Sequence, residues 1–318
     1  MILNRKFKAK YIALTTLALL VSMPSQSTEY KPTSFEGQVV VISPHQDDAL
    51  LTFTGYLTAS QQTAPLARNE INVMFGLSNY STNWNDVLTQ TQVGGISKRR
   101  YQEDFDALSE LFNGWSNFHY KLQGLWDAPL RLYTGESTAG GGSAGTFANF
   151  RNEEIEAFNF AVEAIKPILK RENTTVLVPI ANGSHIDHFI TREAVIKAAY
   201  DLGVNAKAQI IFGQDQPYTN ANPSDLNVEF DALKARLPSN SFILENFNVP
   251  SSDIAGENLK LYLYKKHYLT QYDEGYIEPL TTNLQETVYI WNKATYNEIQ
   301  THPDCGGDYC QLNEINIK

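Results

Sequence analysis

The sequence predicts an α/β fold in which a mostly parallel sheet is covered on both faces by helices. Three observations carry this. Short, continuous apolar runs rich in β-branched residues recur along the chain, the pattern of strands buried on both faces. Stretches with an apolar helical stripe lie between them, and strands alternating with helices build parallel sheets. At 318 residues, 42% hydrophobic and 19% charged, the chain is globular in composition and long enough for one large domain with an appendage.

The elements follow in order. The first strand is Gln38–Ser43 (QVVVIS), and the runs at 70–77 (EINVMFGL), 175–180 (TVLVPI) and 208–213 (AQIIFG) repeat its pattern. Over residues 99–112, Phe105, Leu108, Leu111 and Phe112 share one helical stripe while charges fill the rest. Over 152–170, Ile155, Phe158, Val162, Ile165 and Leu169 do the same, and residues 190–202 make a third helix. The Gly-rich stretch 134–146 (TGESTAGGGSAGT) reads as a flexible loop that borders a cleft, and residues 215–240, with Pro217, Asn220, Asn222 and Pro223, read as irregular. The region beyond about residue 285 is expected to add a strand or hairpin to the main domain.

The two ends carry their own signals. Arg5, Lys6, Lys8 and Lys10 precede a short apolar core at 11–21 and then Ser25-Gln26-Ser27, the layout of a cleaved secretory signal over residues 1–27. The apolar core is too short for a comfortable membrane span, so the expectation is an exported protein, periplasmic or secreted, without stable membrane insertion after cleavage. A catalytic domain over 28–285 and a C-terminal extension over 286–318 follow. Cys305 and Cys310, the two cysteines of the chain, suit a small disulfide pinning a terminal loop, since two thiols alone cannot complete a structural zinc site. A formal charge of −10, with no basic cluster beyond Lys98-Arg99-Arg100, argues against nucleic acid as a partner.

The chemistry gathers in two places. Pro44-His45-Gln46-Asp47-Asp48 follows the first strand at once, and His185-Ile186-Asp187-His188 follows the strand at 175–180. Strands that run parallel in one sheet bring both clusters to its carboxyl edge, where sites form in such folds. His45, one of Asp47 or Asp48, and His188 then make a set of two imidazoles and one carboxylate. Catalytic zinc is held by three such ligands with a fourth position open, and iron or another divalent ion also suits the set. The remaining carboxylate can take a proton from water, the second imidazole can stabilise an oxyanion, and Asp187 can orient a histidine. Alone, His-x-Asp-Asp is more often a turn with an Asp helix cap. Two clusters, each directly after a strand, favour the metal site.

These motifs resemble the LmbE-like de-N-acetylases, the family also named for the enzyme that deacetylates N-acetylglucosaminyl-phosphatidylinositol. The resemblance runs over about residues 36 to 275. Arg100-Tyr101-Gln102-Glu103, followed by Ala107 and Leu111, resembles the family's Arg-x-x-Glu helix. Gly124-Leu125-Trp126-Asp127-Ala128-Pro129 resembles a later segment with a substrate-facing Asp. The resemblance implies a Rossmann-like three-layer fold and zinc held by His45, Asp48 and His188. It implies Asp47 as general base, His185 as stabiliser of transition-state charge, and Arg100 and Asp127 as contacts to the sugar or its aglycone. The implied activity is zinc-dependent removal of the acetyl group from an N-acetylglucosamine-type sugar in a glycan or glycoconjugate.

The competing readings are an amidase acting on a non-sugar amide and a non-catalytic glycan-binding protein on the same fold. Asp47, a free base beside the metal, speaks against the latter. Bland roles also exist for single residues: a solvated helix face for Arg100 and a turn before Pro129 for Asp127. Ala49 stands where the family usually has Glu, and His267 precedes Tyr268-Leu269-Thr270-Gln271 one position early for the family's His-x-Ser/Thr-Gln. Packing is the expected role for His267 and Tyr268; His119, among Trp115, Phe118 and Tyr120, is expected to be structural, and His302 is given no role. Residues 140–145 match Gly-x-Gly-x-x-Gly literally, but no strand precedes them as a dinucleotide site requires.

Overall fold

The computed structural model describes residues 37–64, 69–81, 90–131, 150–221, 223–237, 241–272 and 274–298. The secretory signal, the Gly-rich stretch and the cysteine pair expected from the sequence lie outside the described residues.

Strands β1 (Gln38–Ser43), β2 (Asn69–Val73), β3 (Phe118–Leu122), β4 (Thr174–Pro179) and β5 (Gln209–Gly213) pair in parallel. β6 (Phe242–Asn248) and β7 (Gln285–Trp291) complete the sheet antiparallel, and the spatial order is β3-β2-β1-β4-β5-β7-β6. The order reverses beside β1, and the β1–β4 junction is where an open α/β sheet makes room for a site.

Helices α1 (Asp48–Thr63), α2 (Gln90–Leu111), α3 (Ile155–Leu169) and α4 (Ile186–Leu202) fill the crossovers. The short α5 (Tyr218–Ala221), then α6 (Pro223–Ala235), α7 (Leu259–His267) and α8 (Glu274–Thr281) complete the set. Alternation along the strands divides the core in two. Val40, Ile42, Val176 and Val178 face a cluster with α3 and α4, whereas Val39, Val41 and Leu177 face one with α1, α2 and α7. The result is a helix–sheet–helix sandwich of three layers. Among the described residues no helix is long and apolar enough to cross a membrane.

Several elements differ from expectation. The strand expected at 70–77 ends at Val73, after which Leu77 makes a single parallel bridge to Trp126. β3 was not anticipated, because an edge strand with three exposed residues has no buried run to announce it. The stretch 215–240 is mostly helical, not irregular: Pro223 stands at the first position of α6, where its missing N–H costs nothing.

The region beyond 285 is integral to the sheet. β7 lies between β5 and β6, and the expected boundary at 285 falls on its first residue. Phe53 interrupts α1 with non-helical angles (φ −128, ψ 16). The N–H groups of Gly55 and Tyr56 beyond the break donate to Glu286 Oε2 on β7, at 2.8 and 3.2 Å. Lys260 Nζ stands 2.8 Å from the other Glu286 oxygen, so the buried carboxylate is paired.

Candidate metal centre

The site is assembled at the carboxyl ends of β1, β2, β4 and β5. β1 ends at Ser43, whose hydroxyl donates to the His45 carbonyl at 2.8 Å and tightens the turn into α1. Asp47 occupies the N-cap of α1 with φ 152, a conformation rare for a side-chain-bearing residue, and its carboxylate makes no capping bond. The plain reading of this Asp as a helix cap therefore fails, and the carboxylate is left for other work. Asp48, in the first helical turn, turns back to accept the His45 N–H at 2.8 Å. The β4–α4 loop is similarly forced, with positive φ at Ala181, Gly183 and Ser184. Gly183 is required there, since a Cβ would meet the Tyr218 ring at 2.5 Å. His185 caps α4 through Nδ1, which accepts the Asp187 N–H at 3.1 Å, so its proton resides on Nε2.

His45, Asp48 and His188 converge. Asp48 Oδ2 lies 3.3 Å from His45 Nδ1 and 3.3 Å from His188 Nε2, and all three residues are buried. The other nitrogen of each ring is engaged elsewhere. His45 Nε2 donates to Asp187 Oδ2 at 3.0 Å with Asp127 Oδ1 at 3.4 Å, and His188 Nδ1 donates to Asp215 Oδ1 at 2.5 Å. With the outer nitrogen of each ring held by a carboxylate, the inner nitrogens of both face the same Asp48 oxygen, an arrangement that suits a cation between them. The spacing agrees: with zinc–ligand bonds of about 2.0–2.1 Å, tetrahedral ligand atoms stand about 3.3–3.4 Å apart. That separation exceeds the usual charge-assisted hydrogen bond of about 2.7–2.9 Å. The residues fit a divalent metal, with His45 Nδ1, Asp48 and His188 Nε2 facing it.

A second group, His45, Asp127, His185 and Asp187, gathers on the opposite edge of the His45 ring. It is already satisfied by protein donors. Asp187 accepts the Ala128 N–H at 3.0 Å and Arg131 at 2.5 Å, and Arg131 also pairs with Glu154 at 2.9 Å. This group supports the His45 ring.

Asp47 is the most accessible carboxylate of the cluster, with a side chain 15% exposed against 6% for Asp48. Burial and the adjacent Asp48 charge push its carboxyl up to about 8. Burial acts on Asp48 in the same sense, but His188 and His45 overcome it and bring that carboxyl down to about 2. His185 is held well below the ordinary imidazole range by burial and then by the two neighbouring histidines, so it is a neutral donor. Its ring centroid is 4.7 Å from that of His45 and 4.9 Å from that of His188.

Arg100 and Asp127 lie beneath Asp47 in a network. Arg100 does not lie on the solvated helix face open to it from sequence, whereas Asp127 does stand at the turn before Pro129, its carbonyl accepting the Leu130 N–H at 2.9 Å, with its side chain buried in the network. Arg100 is 3% exposed; it donates to Ser78 Oγ at 2.9 Å and Gln271 Oε1 at 2.7 Å, with Asp127 at 3.7 Å and Asp47 at 4.0 Å. Ser78 Oγ in turn donates to Asp127 at 2.6 Å, and Gln271 Nε2 donates to the Gln46 carbonyl at 2.9 Å. Tyr268 is fully buried and donates to Asp104 at 2.6 Å, while His267 contacts Glu110 at 2.7 Å on the outer side of α7. His119 is exposed on edge strand β3.

Sequence reasoning missed Asp215, Arg131, Ser78 and Gln271 as parts of the site. Asp215 was within reach: it stands two residues past β5, the kind of position that singled out the other two clusters. Gln271 ends the segment compared with the family's His-x-Ser/Thr-Gln but was given no role, while Arg131 and Ser78 act through contacts distant in sequence and carry no local signal.

No family profile and no curated protein matches this sequence. Solved structures do. The zinc-inhibited form of the teicoplanin deacetylase Orf2 superposes with a TM-score of 0.55 at 19% identity, covering 80% of this chain and 98% of that one. A deacetylase–teicoplanin complex from the teicoplanin biosynthesis pathway superposes with a TM-score of 0.54 at 17% identity, covering 80% and 97%.

Proposed function

We propose that this chain, which has the α/β fold of the LmbE-like deacetylases, is a metal-dependent de-N-acetylase acting on an N-acetylated sugar. The observation that carries the reading is Asp48 Oδ2, faced at 3.3 Å by two histidine nitrogens while the adjacent Asp47 carboxylate is left uncommitted. His45, Asp48 and His188 would hold the ion. Bound there, zinc or a similar cation would polarise the amide carbonyl and acidify water.

The chain's own groups then have separate tasks. Asp47, whose carboxyl a cation beside Asp48 would draw back down from about 8, takes the proton of the attacking water as its oxygen adds to the acetamide carbonyl carbon. His185 Nε2–H donates to the carbonyl oxygen as negative charge develops there. Asp47 returns the proton to the amide nitrogen as the C–N bond breaks, releasing acetate and the free amine. Arg100 holds the floor of the site from below Asp47, and a sugar hydroxyl reaching Asp127 or Arg100 would extend the network of Ser78 and Gln271. Export through the signal expected at residues 1–27 would put the substrate outside the cytoplasm, which bears on its location and not on its identity.

The test is acetate release from a panel of N-acetylated sugars by the zinc-loaded mature protein. Release by the wild type and its loss in Asp47→Ala, with metal retained, are expected. Hydrolysis of simple acetanilides with none of any N-acetyl sugar would move the chain to the amidases.

A further inference from the structure

We infer that Asp215, a residue outside the resemblance motifs, is a positioning residue that sets the metal affinity of the site by fixing His188. The inference rests on the metal site proposed above and concerns how tightly it holds its ion.

Three observations place Asp215 in this role. Its Oδ1 accepts from His188 Nδ1 at 2.5 Å, with both residues buried, so the ring is held in the tautomer whose Nε2 lone pair points at Asp48. A histidine free to turn or to change tautomer would present that lone pair only part of the time. The carboxylate is itself held in place. Asn182, on the β4–α4 loop, accepts the Asp215 N–H at 2.7 Å and donates from its side chain to the Asp215 carbonyl at 3.2 Å. The amide side chain thereby continues the pairing of β4 with β5 beyond Pro179 and Gly213, where the backbone ladder ends. The Asn182 N–H reaches the second carboxylate oxygen at 3.3 Å. Finally, the loop that delivers His188 holds three residues at positive φ, a conformation that persists only where surrounding contacts over-determine it. The Asn182–Asp215 bridge is such a contact, joining the loops that follow two adjacent strands.

The arrangement mirrors the other side of the site, where Asp187 holds His45 through Nε2. One ligand ring is fixed from each flank, and the two rings present different nitrogens, Nδ1 of His45 and Nε2 of His188, to the same carboxylate oxygen.

The experiment is zinc affinity by competition with a chromophoric chelator, on wild type, Asp215→Asn and Thr219→Val, with the visible absorption of the cobalt-loaded proteins as a second readout. Thr219 accepts from Asn182 at 2.7 Å and donates to the Asp215 carbonyl at 2.9 Å, so its variant perturbs the bridge without touching the carboxylate. Asp215→Asn is expected to bind zinc about 10- to 100-fold more weakly and to shift the cobalt spectrum, while Thr219→Val, which keeps the carboxylate, changes clearly less in both. Equal zinc affinity and an unchanged cobalt spectrum in folded Asp215→Asn would overturn the role while leaving the metal site standing. Equal weakening in both variants would reduce Asp215 to a loop support. A wild type that binds neither ion removes the role together with the site beneath it.

Discussion

The two edges of the parallel sheet both carry buried carboxylates, yet they are built to opposite sums. Near the amino ends, Glu70 on β2 is met by Lys121 at 2.8 Å and Arg171 at 2.9 Å, with Gln38 and Asn72 completing its hydrogen bonds. That carboxylate has all the positive charge it needs. At the carboxyl ends, Asp47, Asp48, Asp127, Asp187 and Asp215 crowd together, and the described guanidinium groups beside them are Arg100 and Arg131. Buried charge left unbalanced on that scale is costly. The same residue chemistry makes a self-contained ion network at one edge and, at the other, a crowd of carboxylates with few guanidinium partners, which suits the cation proposed above.

The sharpest way to break this comparison is to remove a ligand. His188→Ala should abolish stoichiometric zinc binding and lower kcat by at least about 10³-fold, measured by metal analysis and acetate release on the same preparation. Asp47→Ala should retain its metal and lose about 10²- to 10⁴-fold in kcat, the range for a general acid–base group. A Michaelis constant that rose while kcat held would assign Asp47 to binding instead. His185→Ala should cost about 10²- to 10³-fold in kcat with metal content unchanged, as for loss of one oxyanion donor.

The amino edge should respond far less. Glu70 is held down to about 2 from 4.5: burial opposes ionisation, but Lys121, Arg171 and Asn72 outweigh it. A carboxyl with a lowered folded-state pKa contributes its stability above pH 4.5 and loses it as pH falls toward 2. Lys121 is 50% exposed and Arg171 32%, so solvent screens the pairs and Glu70→Gln should cost about 1 kcal/mol or less at pH 6. That difference should vanish near pH 2 in denaturant titrations. A gap that widened on acidification would contradict the pairing.

Much of this was legible in the sequence wherever burial and local order coincide. β1, β4 and β5 are continuous apolar runs because both their faces are covered, and the His and Asp residues after β1 and β4 stood out against them. What escaped did so for physical reasons. β3 is an edge strand with exposed side chains, and α6 hid behind Pro223, which serves as a helix start. β7 was expected as an addition, yet its Glu286 satisfies the N–H groups freed by the break in α1. Arg100 was visible as a charge, but its partners Ser78 and Gln271 come from elements 22 and 171 residues away. Such networks exist only after folding.

The most direct measurement is X-ray absorption of the zinc-loaded protein beside His188→Ala. One ion per chain is expected, with two imidazole nitrogens and one carboxylate oxygen from the protein, and no retained ion in the variant. An ion bound with the same ligand set in His188→Ala, or none bound by wild type after reconstitution, would contradict the convergence of β1 and β4 on a single metal.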